Sequence, residues 1–359
     1  MCNSCTVNID QTKADAFASQ MITILNHGAL GLMTSIGYRT RLFDTMAELP
    51  SSTSDEIAAA AKLNERYVRE WLGAMVTGKI VHYDPKDKKY TLPAEHAVWL
   101  TRKNTPNNIA VTSQWLHVMG YVEDRIVECF HNGGGLKYEE YNRFHEVMAD
   151  ESRQTVVIPL FEHLLPLAPG VREQLEKGID VLDVGCGSGK ALIKLAGEFP
   201  NSRFTGYDFS PDAVQNGQKE AGRLGLKNIL FKAKNAAQID DQKAFDLVFT
   251  LDSVHDQADP ARVLKNIFNA LRTDGTYFCQ DIAGSSFVEK NMDHPVGPFI
   301  YTISCTHCMS VSLGQNGAGL GAMWGRELAC DMMRRAGFGR VEVKNLDHDF
   351  INNYYIVKK

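Results

Sequence analysis

The sequence predicts an α/β protein: a Rossmann-like sheet of seven strands, strands six and seven antiparallel, preceded by a mostly helical winged-helix region. Three observations predict it. Residues 179–208 read as strand, glycine turn, helix, strand and terminal acid, the first half of a nucleotide-binding α/β fold. Apolar β-branched runs then alternate with helical spacing to the end of the chain. Residues 40–100 instead have three short helices followed by two alternating strands. The expected division is 1–177 for the helical part, with the winged helix at about 37–100, and 178–359 for the α/β part.

Each element has a local cause. Residues 1–12 are polar and carry Cys2 and Cys5; residues 14–33 have a wide apolar face of Phe17, Met21, Ile24, Leu25 and Leu32, which fits packing against another chain or domain. Residues 42–49 form a short helix. Thr53-Ser-Asp-Glu56 is a helix start, with a capping hydroxyl and acids in the first turn. Asn64 caps a third helix, 65–76, with Tyr67, Val68, Trp71, Leu72 and Met75 inward, and Gly78 ends it. Residues 80–83 and 89–92 are the two wing strands around Asp84-Pro-Lys-Asp87. Residues 101–178 read as helices broken at Pro106, 133–135, Pro159, Pro166 and Pro169. Trp115, His117 and Tyr121 share one helical stretch, as core or as the wall of an aromatic substrate site.

Charge tests the DNA-binding reading of a winged helix. A recognition helix normally has a Lys/Arg surplus for phosphates. Here Arg66 and Arg69 are offset by Glu65 and Glu70, and the wing lysines 86, 88 and 89 by Asp84 and Asp87. The whole chain of 359 residues has a formal charge of −5, so DNA is not an expected partner. No apolar run approaches the ~18 residues of a membrane span, and no signal peptide is expected at the N-terminus. Eight cysteines in a chain this long do not suggest a disulfide framework, which fits a cytoplasmic protein.

The glycine turn discriminates between nucleotide sites. A dinucleotide fingerprint needs Gly at 190, where Lys stands; a P-loop needs Ser or Thr after Gly-Lys, where Ala191 stands. What remains is Asp-x-Gly-x-Gly-x-Gly: Asp183, Gly185, Gly187 and Gly189. Glycines let backbone approach a ligand closely, and Asp208 can accept from ribose hydroxyls. Downstream, strands are expected at 228–233, 245–251, 276–282, 340–344 and 354–358. Helices are expected at 210–224, 260–271 and 327–336, with a long insertion at 283–325. The short connection before the last strand requires antiparallel pairing.

Several segments together resemble one family. They are Asn64-Glu-Arg-Tyr-Val-Arg-Glu-Trp-Leu72, Leu92-Pro-Ala-Glu-His96, Val181-Leu-Asp-Val-Gly-Cys-Gly-Ser-Gly189, Phe245-Asp-Leu-Val, Ser253-Val-His-Asp256 and Gly319-Leu-Gly-Ala-Met-Trp-Gly325. They are similar to segments of class I S-adenosylmethionine-dependent methyltransferases of the bacterial small-molecule type with an N-terminal winged helix. The architecture is also similar to that of plant O-methyltransferases. The resemblance covers nearly the whole chain. It implies S-adenosylmethionine as cofactor, S-adenosylhomocysteine as product, no metal, a small-molecule acceptor and a homodimer.

By the same resemblance, Asp183, Gly185, Cys186, Gly187, Gly189, Asp208, Phe209, Asn235, Ala236, Asp252 and Ser253 hold the cofactor. His255 is then the general base for a hydroxyl, and Asp281 orients it. Two positions depart from the family pattern. Gln257 replaces the usual aromatic after His-Asp, and Asn235 stands where an Asp commonly meets adenine, although an amide can also hydrogen-bond there. The alternatives are a DNA-binding regulator that senses S-adenosylmethionine, and transfer to nitrogen or sulfur without a base. Cys305-Thr-His-Cys308 with Cys2 and Cys5 would make a four-thiol zinc site. The preferred reading of 283–325 is a lid with His307, Met309 and Trp324 facing substrate.

Overall fold

A computed structural model describes residues 9–104, 106 and 108–359, so Cys2 and Cys5 lie outside the described residues. The described chain divides into two compact units, one ending at His117 and the other running Val118–Lys359.

The first unit opens with α1 (Gln11–Arg39), whose Phe17, Met21, Ile24, Leu25 and Leu32 are all exposed, Leu25 at 73%. Then come α2 (Leu42–Glu48), α3 (Ser54–Ala61) and α4 (Glu65–Thr77). The expected capping box forms: Thr53 accepts from the Glu56 N–H, and Glu56 accepts from the Thr53 N–H. On α4, Val68, Trp71, Leu72 and Met75 are buried with Phe43 and Ile57. Tyr67 is not; it is 80% exposed. The buried set follows i, i+3, i+4, i+7, and position 67 falls outside that stripe. Arg66 pairs with Glu70 and Arg69 with Glu65, so the cations of this helix are internally matched. The wing is β1 (His82–Asp84) antiparallel to β2 (Lys89–Thr91).

The second unit is a seven-stranded sheet. Its strands are β3 (Asp180–Val184), β4 (Arg203–Asp208), β5 (Ile229–Ala233), β6 (Phe245–Leu251), β7 (Leu271–Ile282), β8 (Arg340–Leu346) and β9 (Asp349–Lys358). Their order is β5-β4-β3-β6-β7-β9-β8. The first five are parallel; β9 runs antiparallel to both neighbours. The loop between β8 and β9 is only residues 347–348, shorter than the apolar pattern suggests, because both strands extend toward each other.

Strand residues alternate between two cores. Val181, Leu247, Phe249 and Phe278 pack on one face, and Leu182, Val248, Tyr277 and Cys279 on the other. Burial on both faces is why these strands read as continuous apolar runs.

The boundary differs from the expected 177/178. Leu160, Leu164, Leu165, Val171 and Leu175 pack in the same cluster as Val181, Leu192 and Phe204. Residues 118–177 therefore belong to the sheet's unit. Their apolar faces are covered by the sheet helices, a pairing that local periodicity does not reveal. Among the described residues, no helix is long and apolar enough to cross a membrane.

Candidate active site

The site lies at the carboxyl ends of β3, β4, β6 and β7, where open α/β sheets bind ligands. After β3, Gly185, Gly187 and Gly189 take positive φ of 76°, 55° and 66°. The turn is pinned by the Gly185 and Cys186 N–H groups, which donate to the Tyr207 carbonyl at 2.8 and 3.1 Å. A Cβ at Gly189 would stand 2.1 Å from the Phe231 ring; one at Gly187 would meet open space. Cys186 is half-buried, and burial pushes its thiol up.

Asp208 ends β4 and is 8% exposed. Its Oδ2 accepts from the Gly187 N–H at 2.8 Å and its Oδ1 from the Ser210 N–H at 2.9 Å. Each carboxylate oxygen has a second lone pair to accept a ligand hydroxyl. Asp183 is buried with Oδ1 lacking a hydrogen-bond partner. Burial, with the Asp208 charge added, pushes its carboxyl up to about 7. These residues fit S-adenosylmethionine: an orphaned buried carboxylate oxygen suits its ammonium end, and a glycine cradle admits its length.

The cleft, about 600 Å³ up to its open mouth, is lined among others by Gly185, Asp208, Phe209, Asn235, Ala236 and Asp256. Asn235 is exposed, and its Oδ1 accepts from the Ala237 N–H at 2.8 Å. Ala236 is buried and its carbonyl accepts from Asn266. Phe209 is exposed. Asp252 follows β6 directly, at φ 54°, and accepts from Gln280 at 3.0 Å, with Oδ1 orphaned. Burial raises its carboxyl well above the ordinary range, and the Asp281 charge adds to this. The Ser253 hydroxyl donates to the Val184 carbonyl at 2.7 Å, tying the ends of β3 and β6 together.

His255 is 4% exposed. Its Nδ1 lies 2.7 Å from Asp281 Oδ1. That same oxygen accepts from the Ile282 N–H at 2.8 Å and the Trp324 indole N–H at 3.0 Å. Burial disfavours the imidazolium, but the Asp281 charge outweighs it, with the Cys308 thiol adding, so the group is raised above its usual 6.5.

The lid reading of 283–325 changes in detail. The segment folds into the helix Gly297–Ile303, a wide turn Ser304–Cys308 and the helix Met309–Gly314. Trp324 is buried in the sheet core with its N–H on Asp281, so it supports the histidine's partner instead of facing substrate. His307 is buried and stacks on Phe144 with centroids 4.3 Å apart. Burial, with the His255 charge behind it, lowers it to about 3, so it is a neutral aromatic surface. Met309 is half-buried beside Gly321. Trp115 is buried and His117 half-buried in the first unit, while Tyr121 is exposed in the second. Tyr121 is not among the residues that line the cleft. Among the described residues, no group of three or more His, Cys, Asp or Glu is placed to hold a metal ion.

Tyr138 escaped sequence reasoning. Tyr138 donates its hydroxyl to Asp256 Oδ2, and its ring lies 5.4 Å from that of Phe209. Asp256 was visible beside His255; Tyr138, 118 positions away, gave no local signal.

Residues 28–102 match the Rv2258c-like winged HTH domain family, and residues 175–309 match a methyltransferase domain family. The (S)-tetrahydroprotoberberine N-methyltransferase of Eschscholzia californica is 23% identical over 145 residues, 39% of this chain and 41% of that one. The malonyl-[acyl-carrier protein] O-methyltransferase of Bacillus cereus is 23% identical over 158 residues, 44% and 53%. The matches thus span about two fifths to half the length of these curated relatives. Human N-acetylserotonin methyltransferase, solved with S-adenosylmethionine, superposes with a TM-score of 0.67 at 14% identity, over 100% of this chain and 99% of that one. The mitomycin 7-O-methyltransferase gives 0.67 at 16%, over 97% and 100%. At such identities the solved structures speak to the fold. The chain therefore carries an N-terminal winged-helix domain followed by a methyltransferase domain of the class I fold.

Proposed function

We propose that this protein methylates a hydroxyl of a small-molecule acceptor, with His255 as general base and Asp281 as the residue that orients it. The observation that carries the reading is the 2.7 Å contact between His255 Nδ1 and Asp281, in the same strand-end region as the glycine cradle and Asp208. S-adenosylmethionine, when bound, supplies an already activated methyl group. Asp208 and the three glycines bind and orient it. With Nδ1 held by Asp281 and the Cys308 thiol bonded to the same ring, Nε2 is the nitrogen to accept the acceptor's hydroxyl proton, taking it in place of the thiol contact. The buried Asp281 then stabilises the imidazolium that results.

Calorimetric titration of S-adenosylhomocysteine tests the cofactor half. Wild type is expected to bind, and Asp208→Ala to weaken binding by more than about 1.5 kcal/mol, because a buried polar partner is removed. Folded, ligand-free wild type that fails to bind would undo the assignment.

The same reading includes a homodimer joined through α1. Its support is the run of exposed apolar side chains on that helix, Phe17, Met21, Ile24 and Leu25 among them. Sedimentation velocity is expected to show a dimer for wild type and a monomer for Leu25→Asp. A monomeric wild type would exclude it.

A further inference from the structure

We infer that the acceptor carries a protonated amine, and that Asp256 is the group that binds it. The inference rests on the methyltransferase reading above and narrows its substrate class.

Asp256 lines the cleft, yet its Oδ1 is buried and has no hydrogen-bond partner. Its other oxygen accepts the Tyr138 hydroxyl. A buried carboxylate oxygen with nothing to accept from is destabilising until a donor arrives. The cleft supplies no cation of its own. Among the described residues that line it, Lys234 is the only basic one, and it is paired with Asp240 at 2.5 Å and Asp241 at 3.2 Å. Against it stand Asp208, Asp256 and Asp259 in the same lining.

The neighbouring histidines give that oxygen no hydrogen bond. His307 is held neutral by burial, and His255, whose charge does act on Asp256, spends its Nδ1 on Asp281. Asp208 differs from Asp256 in that both its oxygens already accept backbone N–H groups. Among the acids that line the cleft, Asp256 is therefore the one with a buried oxygen that accepts no hydrogen bond. Tyr138, bonded to Asp256, has its ring 5.4 Å from that of Phe209, which lines the same cleft. An acid flanked by aromatic faces is how proteins take up organic ammonium groups, by a charge-assisted hydrogen bond and by the ring quadrupole. A neutral acceptor brings that oxygen no charge-assisted donor of its own, and an anionic one is repelled by it.

Three phenols that differ in the charge of the para side chain separate the cases: tyramine, 4-propylphenol and 3-(4-hydroxyphenyl)propanoate, titrated into protein saturated with S-adenosylhomocysteine. Tyramine is expected to bind about ten- to hundredfold more tightly than 4-propylphenol, and the propanoate most weakly. In Asp256→Asn that preference collapses to about twofold, while the variant still takes up S-adenosylhomocysteine, which shows that it is folded. Absent or equal binding of tyramine overturns the inference, as does a preference that survives in Asp256→Asn. A variant that loses S-adenosylhomocysteine as strongly as tyramine assigns Asp256 to the cofactor and also overturns it. Wild type that does not bind S-adenosylhomocysteine rejects the underlying methyltransferase reading instead.

Discussion

His255→Ala is expected to lower kcat/KM for a hydroxyl acceptor by about 10²- to 10⁴-fold, the usual range for a positioned general base. S-adenosylhomocysteine affinity is expected to change little, because the imidazole belongs to the His255–Asp281 pair and not to the glycine cradle. The pH profile carries the sign of the same claim. Only neutral imidazole can accept a proton, and Asp281 raises His255 above 6.5. Activity of wild type should therefore rise with pH through an apparent pKa above 6.5, and that limb should vanish in His255→Ala. A loss of less than about tenfold would reject the base and favour an acceptor whose nucleophile needs no deprotonation, such as a thiolate or a neutral amine.

The second large effect separates stability from binding within one turn. Gly189→Ala places a methyl 2.1 Å from the Phe231 ring at a φ of 66°. The left-handed backbone costs about 1–2 kcal/mol for a non-glycine residue, and forcing the packed ring aside costs about 1–3 more. Chemical denaturation should register that loss. Gly187→Ala has the same kind of backbone, φ 55°, but no atom within 4 Å of the added methyl. It should lose only the backbone part, about 1–2 kcal/mol, while S-adenosylhomocysteine binding falls, because the methyl occupies the space through which backbone approaches the ligand. Equal losses of stability in the two variants would contradict the packing at Phe231.

The sequence by itself determined what depends on neighbours along the chain. The glycine turn, the Thr53–Glu56 capping box, the helix Lys190–Glu198 and the strand Phe245–Leu251 are local consequences of φ freedom, capping and apolar periodicity. So was the final hairpin, because a short connection cannot make a parallel crossover. What only the tertiary structure decided concerns residues far apart in sequence. Residues 118–177 joined the sheet's unit because the partners of Leu160 and Leu175 are Val181, Leu192 and Phe204. Trp324 moved from lid to core because Asp281, 43 positions away, needs a donor in a dry site. Tyr138 reached Asp256 for a similar reason. Local pattern sets which face of an element is apolar; it does not say which buried charge lies opposite, and desolvation makes that second question decisive for the chemistry.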